Sequence, residues 1–121
     1  MSIRIATKAA RESIFRRARV GAVIAKGERI LSTGHNYIGY TKWIKRPYKE
    51  SVHAEQAAIL RLLKDRRLND LAGATIYVSR IGRDGCIRLS YPCSNCQRLI
   101  QSVGITEVVY TTNNGVESYV V

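Results

Sequence analysis

Two short stretches, His53-Ala54-Glu55 and Pro92-Cys93-Ser94-Asn95-Cys96, decide how the rest of this sequence is interpreted. Each opens an apolar run with a helical pattern, and a run rich in β-branched residues lies between them. A helix start offers free backbone N–H groups and the positive end of the helix dipole, which stabilise thiolates. The two stretches therefore predict two helix starts that bring metal-binding side chains together.

The side chains of His53, Cys93 and Cys96 form a set of three metal ligands. A structural zinc site normally closes with four protein ligands, whereas a catalytic site keeps three and leaves a position to water. The spare candidates, Cys86 and His35, have no paired spacing with another ligand. The pattern predicts an open Zn2+ site, in which zinc lowers the pKa of a water molecule from about 15.7 towards roughly 7. Glu55 follows His53 closely enough to move protons beside that water.

Each half of this pattern has an ordinary alternative. An HxE triplet alone is common and mostly marks an exposed helix start, and a CxxC pair alone is often a redox pair. The two together, each at a predicted helix start and with a predicted strand between them, favour zinc.

Composition is typical of a globular chain of one domain, residues 1–121, with 121 residues of which 45% are hydrophobic. The three cysteines suggest metal chemistry in a reducing compartment rather than a disulfide framework, so we expect a cytoplasmic protein. No stretch is apolar enough to predict a membrane span. The formal net charge of +11 predicts attraction to phosphate, on a mononucleotide or on a nucleic acid. A merely solvated basic surface is the alternative.

Periodicity predicts an α/β fold with a mixed central sheet of about five strands flanked by three helices. Asn113-Asn114-Gly115 is a hairpin signal, so the C-terminal strand pair should be antiparallel. The predicted helices span 3–18, 53–67 and 94–103, and the predicted strands span 20–25, 30–34, 74–81, 106–112 and 116–121. Residues 35–52 show no clear period, and residues 86–89 are expected to fold back after the Asp84-Gly85 turn.

With these residues in place, the sequence resembles the cytidine deaminase superfamily, which includes the deoxycytidylate deaminases and whose zinc signature is HxE followed by PCxxC. The segments 20–24, 33–36 and 99–111 are also similar to that family. The resemblance implies a cytidine-deaminase-like fold with His53, Cys93 and Cys96 as zinc ligands. It further implies that zinc-bound hydroxide attacks the amine-bearing ring carbon of a cytosine nucleotide or nucleoside, with Glu55 as proton shuttle, and that ammonia is released.

The resemblance also implies a substrate-binding set. It assigns Asn36 to a hydrogen bond with the sugar or base of the substrate and the backbone of Ala54 to the edge of the base, and we add His35 and Tyr91 as candidates. Neighbouring chains often complete the pocket in this family, so a homo-oligomer is expected. The segment 82–90 is an insertion relative to polynucleotide cytidine deaminases, and the short C-terminus departs from deoxycytidylate deaminases.

Three functions remain open on the sequence alone. The first is deamination of a free nucleotide of the dCMP or cytidine type, with basic residues in 42–49 holding the 5′-phosphate. The second is deamination of cytosine or adenine within RNA or single-stranded DNA, favoured by the net charge and by aromatic residues that could stack bases. The third is a non-catalytic basic zinc domain that binds nucleic acid, which would have no use for Glu55. The aromatic residues concerned are Tyr37, Tyr40, Trp43 and Tyr48.

Overall fold

A computed structural model describes residues 2–15, 18–39 and 50–121 of the chain. Within this part of the chain the helices are α1 (Ser2–Ala10), α2 (Ala54–Lys64), α3 (Leu68–Leu71) and α4 (Ser94–Ser102). The strands are β1 (Ala18–Lys26), β2 (Arg29–His35), β3 (Tyr37–Gly39), β4 (Glu50–Val52), β5 (Thr75–Gly82), β6 (Ile87–Arg88), β7 (Glu107–Thr112) and β8 (Gly115–Val120).

The main sheet is mixed and has six strands in the order β2-β1-β5-β7-β8, with β6 paired to the end of β5. Only the β5–β7 pair is parallel among the described strands, because α4 carries the chain back across one face of the sheet. The predicted mixed α/β architecture is confirmed. The predicted fold-back of residues 86–89 forms β6, whereas α3 is an additional element. The last two strands are antiparallel, as the hairpin signal predicted, and Val108 lies opposite Tyr119.

Two glycines let helices approach the two faces of the sheet. A Cβ atom at Gly21 would lie 2.0 Å from the carbonyl oxygen of Ala6, so α1 packs directly on β1. A Cβ atom at Gly34 would lie 2.6 Å from the backbone nitrogen of Ala58, so α2 packs as closely on β2. Gly21 pairs with His35, whereas Gly34 pairs with Ala22, and the two pairs face opposite sides of the sheet. Helices α1 and α2 therefore cover opposite faces.

The main hydrophobic core lies on the α2 side of the sheet. Helix α4 joins it through Ile100, which is 1% exposed. Because α2 and α4 pack on the same core, their N-termini can meet at one edge of it. The members from the sheet and α2 that are 0% exposed are Ala22, Ile24, Ile76, Val78, Val108, Ala54, Ala58 and Ile59.

Three predicted boundaries were wrong. The helix predicted over 3–18 ends at Ala10, because Ala18 already pairs with Gly82 of β5 and sheet pairing overrides the helical period there. The helix predicted over 53–67 ends at Lys64, and Arg66 adopts a left-handed φ of 56° that terminates it. The ends of the predicted loop 35–52 pair as the β3–β4 hairpin. Residues 40–49 of that loop lie outside the described residues.

No helix in the described part of the chain is long and apolar enough to cross a membrane.

Candidate metal and active site

The N-terminus of α2 fixes the position of His53. This residue is the N-cap, with extended backbone angles φ −73° and ψ 153°. Its backbone N–H donates to Oε1 of Gln56 at 3.0 Å, and its carbonyl accepts from Ala57 at 2.9 Å. The chain therefore enters the helix at a set angle, and Glu55 falls in the first turn, where the helix dipole favours a carboxylate.

Helix α4 begins in the same way at the second motif. Cys93 is its N-cap, with extended backbone, and its carbonyl accepts from the backbone N–H of Gln97 at 2.9 Å. The side-chain Nε2 of Gln97 donates to the carbonyl of Pro92 at 2.9 Å. Each motif is thus held by a glutamine one turn into its own helix.

The segment that leads into Pro92 is tied to the sheet by Ser90. Its buried Oγ donates to the carbonyl of Val78 at 2.7 Å and accepts from the backbone N–H of Thr111 at 2.8 Å. These bonds bridge β5 and β7, the parallel pair at the centre of the sheet. Ser90 therefore fixes the approach of the second motif to the first.

His53, Cys93 and Cys96 come together as a group that is positioned to bind a metal ion. Their ligand atoms all lie within 4.8 Å of one another. Nδ1 of His53 lies 3.6 Å from Sγ of Cys93 and 3.3 Å from Sγ of Cys96. Tetrahedral zinc with Zn–S of about 2.3 Å and Zn–N of about 2.0–2.1 Å implies N···S distances of roughly 3.5 Å. The donor set and its spacing therefore fit zinc.

The electrostatics around the three ligand residues and Glu55 also favour a bound cation. Burial, followed by the negative charge of Glu55, raises the pKa of the Cys96 thiol far above its ordinary value. Burial likewise raises the pKa of Glu55, whose side chain is 4% exposed, and hydrogen bonds with its own backbone and with Cys96 offset only part of this effect. The buried Cys96 thiol and the buried Glu55 carboxyl group can ionise together in such a place only beside a positive charge, which a divalent metal ion supplies.

A pocket of about 270 Å³ opens onto this group. Asn36, Ala54 and Tyr91, three of the four predicted substrate-binding residues, line it together with Glu55. The fourth does not: His35 lies on the α1 side of the sheet, with its Nε2 4.0 Å from the carboxylate of Glu12.

Asn36 has a well-defined orientation in this pocket. Its Oδ1 accepts from the backbone N–H of Val20 at 2.9 Å, and its Nδ2 donates to the carbonyl of Ala18 at 2.8 Å. These partners assign the amide oxygen and nitrogen without ambiguity. One N–H and one acceptor lone pair remain for a ligand.

Three tyrosines form a cluster at one side of the pocket that sequence reasoning missed. The ring of Tyr91 lies 5.1 Å from that of Tyr110 and 5.4 Å from that of Tyr119, measured between centroids. Tyr119 comes from β8 and reaches this cluster only because β8 is antiparallel to β7. Arg80 also lines the pocket and was missed, because nothing in its local sequence marks it.

A group of three side chains that could hold a metal ion, with a buried carboxyl group beside it and set between two helix starts on a mixed sheet, is typical of zinc-dependent deaminase domains. Residues 1–112 match the family described as "Cytidine and deoxycytidylate deaminase zinc-binding region", and the chain belongs to that family. Its function is accordingly of the cytidine or deoxycytidylate deaminase type.

One relative is similar in sequence, and two solved structures are similar in fold. The deoxycytidylate deaminase of Mycobacterium phage D29 is 36% identical over 126 residues, which cover 88% of this chain and 88% of that protein. The crystal structure of cytidine deaminase from Burkholderia pseudomallei superposes with a TM-score of 0.71 at 20% identity and covers 98% of this chain and 89% of its own. The dCMP deaminase of cyanophage S-TIM5, in complex with dCMP and dUMP, has a TM-score of 0.64 at 22% identity, with 88% and 74% covered.

Proposed function

We propose that this protein hydrolyses the exocyclic amine of a cytosine base carried by a nucleotide or nucleoside, with zinc held by His53, Cys93 and Cys96 and with Glu55 as the proton shuttle. The observation that carries the proposal is the buried carboxyl group of Glu55 beside three converging ligand atoms. A structural zinc site needs no such carboxyl group, and burying one is costly. This distinguishes the proposal from a non-catalytic zinc domain.

The bound zinc ion would supply the acidified water that acts as nucleophile. Glu55 would accept a proton from this water and deliver protons to the base, so that cytosine and water give uracil and ammonia. Burial raises the pKa of the Glu55 carboxyl group in the metal-free chain, and a carboxyl group beside the metal group is placed to take up and release a proton.

The walls of the pocket would orient the base. The free N–H and lone pair of Asn36 are available to the sugar or to the base edge, and the backbone of Ala54, at the first turn of α2, is available to the amine end. Tyr91 is 48% exposed and could cover one face of the base. Because Asn36 is anchored to β1 through two hydrogen bonds, it would present its remaining groups with little loss of entropy on binding.

Glu55→Gln tests this proposal. Ammonia release from cytidine, deoxycytidine and their monophosphates should fall by about 100-fold or more, because proton transfer is lost. Zinc content should remain near one per chain, since Glu55 is not a ligand. Glu28→Gln, an exposed change in the β1–β2 turn, is the matched control and should retain activity. A wild-type protein that binds zinc but releases ammonia from none of these substrates would refute the proposal.

Deamination of a base within a nucleic acid is the second candidate. The net charge of +11 favours it, because a polyanion gains affinity from such a field through release of its counterions. In that case a short single-stranded oligonucleotide should be a better substrate than a mononucleotide, and its advantage should disappear at high salt.

A further inference from the structure

A second cavity, of about 540 Å³, adjoins the pocket at the metal group. Arg80 and Leu89 line both cavities, so they form the boundary between them. Beyond this boundary the second cavity is lined by Arg83, Asp84 and Arg88. We refer to it as the arginine cavity.

The charges of the arginine cavity do not balance. Nη2 of Arg88 lies 2.5 Å from Oδ2 of Asp84, so these two side chains neutralise each other. Arg80 and Arg83 have no carboxylate partner among the described residues. Nε of Arg80 is also buried and has no hydrogen-bond partner within this part of the chain. Two positive charges are therefore left for a ligand.

The register of the sheet makes this excess costly. Arg80 lies directly opposite Arg88 in the antiparallel β5–β6 pair. Like charges in directly opposed positions destabilise a strand pair, and Asp84 relieves only one of them. The backbone N–H of Arg80 donates to Oγ1 of Thr111 at 3.2 Å, which fixes the backbone of Arg80 beside the end of β7. An anion in the cavity would compensate the remaining charge of Arg80.

The chemistry of the substrate points in the same direction. In cytosine the amine-bearing carbon and the nitrogen that carries the sugar lie at opposite ends of the ring. A base with its amine at the metal group therefore directs its sugar away from that group, and the boundary formed by Arg80 and Leu89 is one exit from the pocket. A phosphate attached to the sugar could then lie in the arginine cavity, where guanidinium groups form strong paired hydrogen bonds with it.

We propose that Arg80, assisted by Arg83, binds a phosphate group attached to the sugar of the substrate and thereby selects phosphorylated substrates over nucleosides. This inference rests on the proposed deaminase function and assigns the specificity to the 82–90 segment and the end of β5. The phosphate can belong to a free nucleotide or to a polynucleotide strand, and the same arginines would bind either.

The test compares kcat/KM for dCMP with kcat/KM for deoxycytidine. The wild-type protein should favour dCMP. In Arg80→Gln the ratio of kcat/KM for dCMP to kcat/KM for deoxycytidine should fall by about 10- to 100-fold, which corresponds to the loss of one hydrogen bond to a charged group. Arg98→Gln, an exposed change on α4, is the matched control and should leave the ratio unchanged. An unchanged ratio in Arg80→Gln would overturn the inference.

A binding measurement separates this inference from the proposed function. Calorimetry should show that dUMP binds the zinc-loaded protein more tightly than deoxyuridine does, and that Arg80→Gln removes the difference. If this holds while no substrate is turned over, the deaminase proposal fails and phosphate binding stands. If turnover is observed but dUMP and deoxyuridine bind alike, phosphate binding fails and the deaminase proposal stands. The affinity for dCMP should fall with salt concentration as expected for the release of about one ion. The affinity for a cytosine-containing oligonucleotide that is also deaminated should fall as expected for the release of several ions. This difference distinguishes a free nucleotide from a polynucleotide strand as the source of the phosphate.

Discussion

Sγ of Cys96 lies 3.3 Å from Nδ1 of His53, although 43 residues separate the two in the sequence. The two residues meet because α2 and α4 begin at the same edge of one hydrophobic core. Cys96 is fully buried, and burial raises the pKa of its thiol, so the free thiol is a poor ligand until a metal ion replaces its proton. Folding and metal binding should therefore be coupled.

This coupling predicts that Cys96→Ala loses its zinc and much of its stability. Wild-type protein should contain about one zinc per chain by elemental analysis, and the variant close to none. The free energy of unfolding should fall by several kcal/mol, with the order of 10 kcal/mol found for small zinc domains as an upper bound. Cys86→Ala is the control, since Cys86 is an exposed thiol in the β5–β6 turn and should leave zinc content unchanged. A Cys96→Ala protein with normal zinc content would contradict the assignment.

A second prediction concerns Gly34, which allows α2 to pack closely on β2. In Gly34→Ala the new Cβ would lie 2.6 Å from the backbone nitrogen of Ala58 and 2.8 Å from the carbonyl of Ala54, so α2 must shift. We expect a loss of about 1–3 kcal/mol in the free energy of unfolding, together with weaker zinc binding, because α2 carries His53.

Gly21→Ala is the matched control for this effect. The new Cβ would clash with α1, because it would lie 2.0 Å from the carbonyl oxygen of Ala6. This substitution should therefore also destabilise the protein. Helix α1 carries none of the metal-binding group, so zinc affinity of the folded variant, measured by competition with a chelator, should match that of the wild type. Equal losses of zinc affinity in both variants would show that the packing of α2 on β2 does not determine zinc affinity.

The two motifs could be located from sequence alone because the signals that start a helix are local. The structure begins α2 at Ala54 and α4 at Ser94, next to the residues where the sequence placed them. The end of α1 could not be located in this way. The run after Ala10 keeps a helical period, but residues from Ala18 onwards gain more by pairing with β5.

The arginine cavity could not have been found from the sequence, for a related reason. Arg80 and Arg88 oppose each other only through the register of β5 and β6, and Arg80 reaches the pocket only because it follows Val78 on the same face. The same holds for Tyr119, which joins Tyr91 through the pairing of β8 with β7. Contacts that depend on register between distant strands leave no mark in a single stretch of sequence.

The tyrosine cluster predicts a specific sensitivity to alkaline pH. Burial, and then the charges of Tyr91 and Glu55, raise the pKa of Tyr119 to about 12. A group whose pKa is higher in the folded state keeps its proton longer there, so its contribution to stability is complete below pH ~10 and is lost as the pH rises through the folded pKa. Wild-type protein should therefore lose urea resistance between about pH 10 and 12 more steeply than Tyr119→Phe.

At neutral pH the same variant should be nearly as stable as the wild type. The hydroxyl of Tyr119 is buried and has no hydrogen-bond partner among the described residues, so its removal costs no bond. Tyr37→Phe, at an exposed position on β3, serves as the control and should follow the wild-type curve. Identical curves for wild type and Tyr119→Phe above pH ~10 would contradict this account.

The last prediction concerns Ser90, which joins the sheet to the second motif. In Ser90→Ala the carbonyl of Val78 and the backbone N–H of Thr111 lose their buried partner, so unfolding should become easier by about 1–3 kcal/mol. Ser90 lies two residues before Pro92, so the segment that leads to Cys93 should become more mobile as well. The rate of zinc loss to a chelator should therefore rise. Ser102→Ala provides the control: its hydroxyl makes a bond of the same length, 2.7 Å to the carbonyl of Leu99, but at an exposed position. A change of similar size in both variants would mean that burial of the Ser90 bonds contributes nothing to the site.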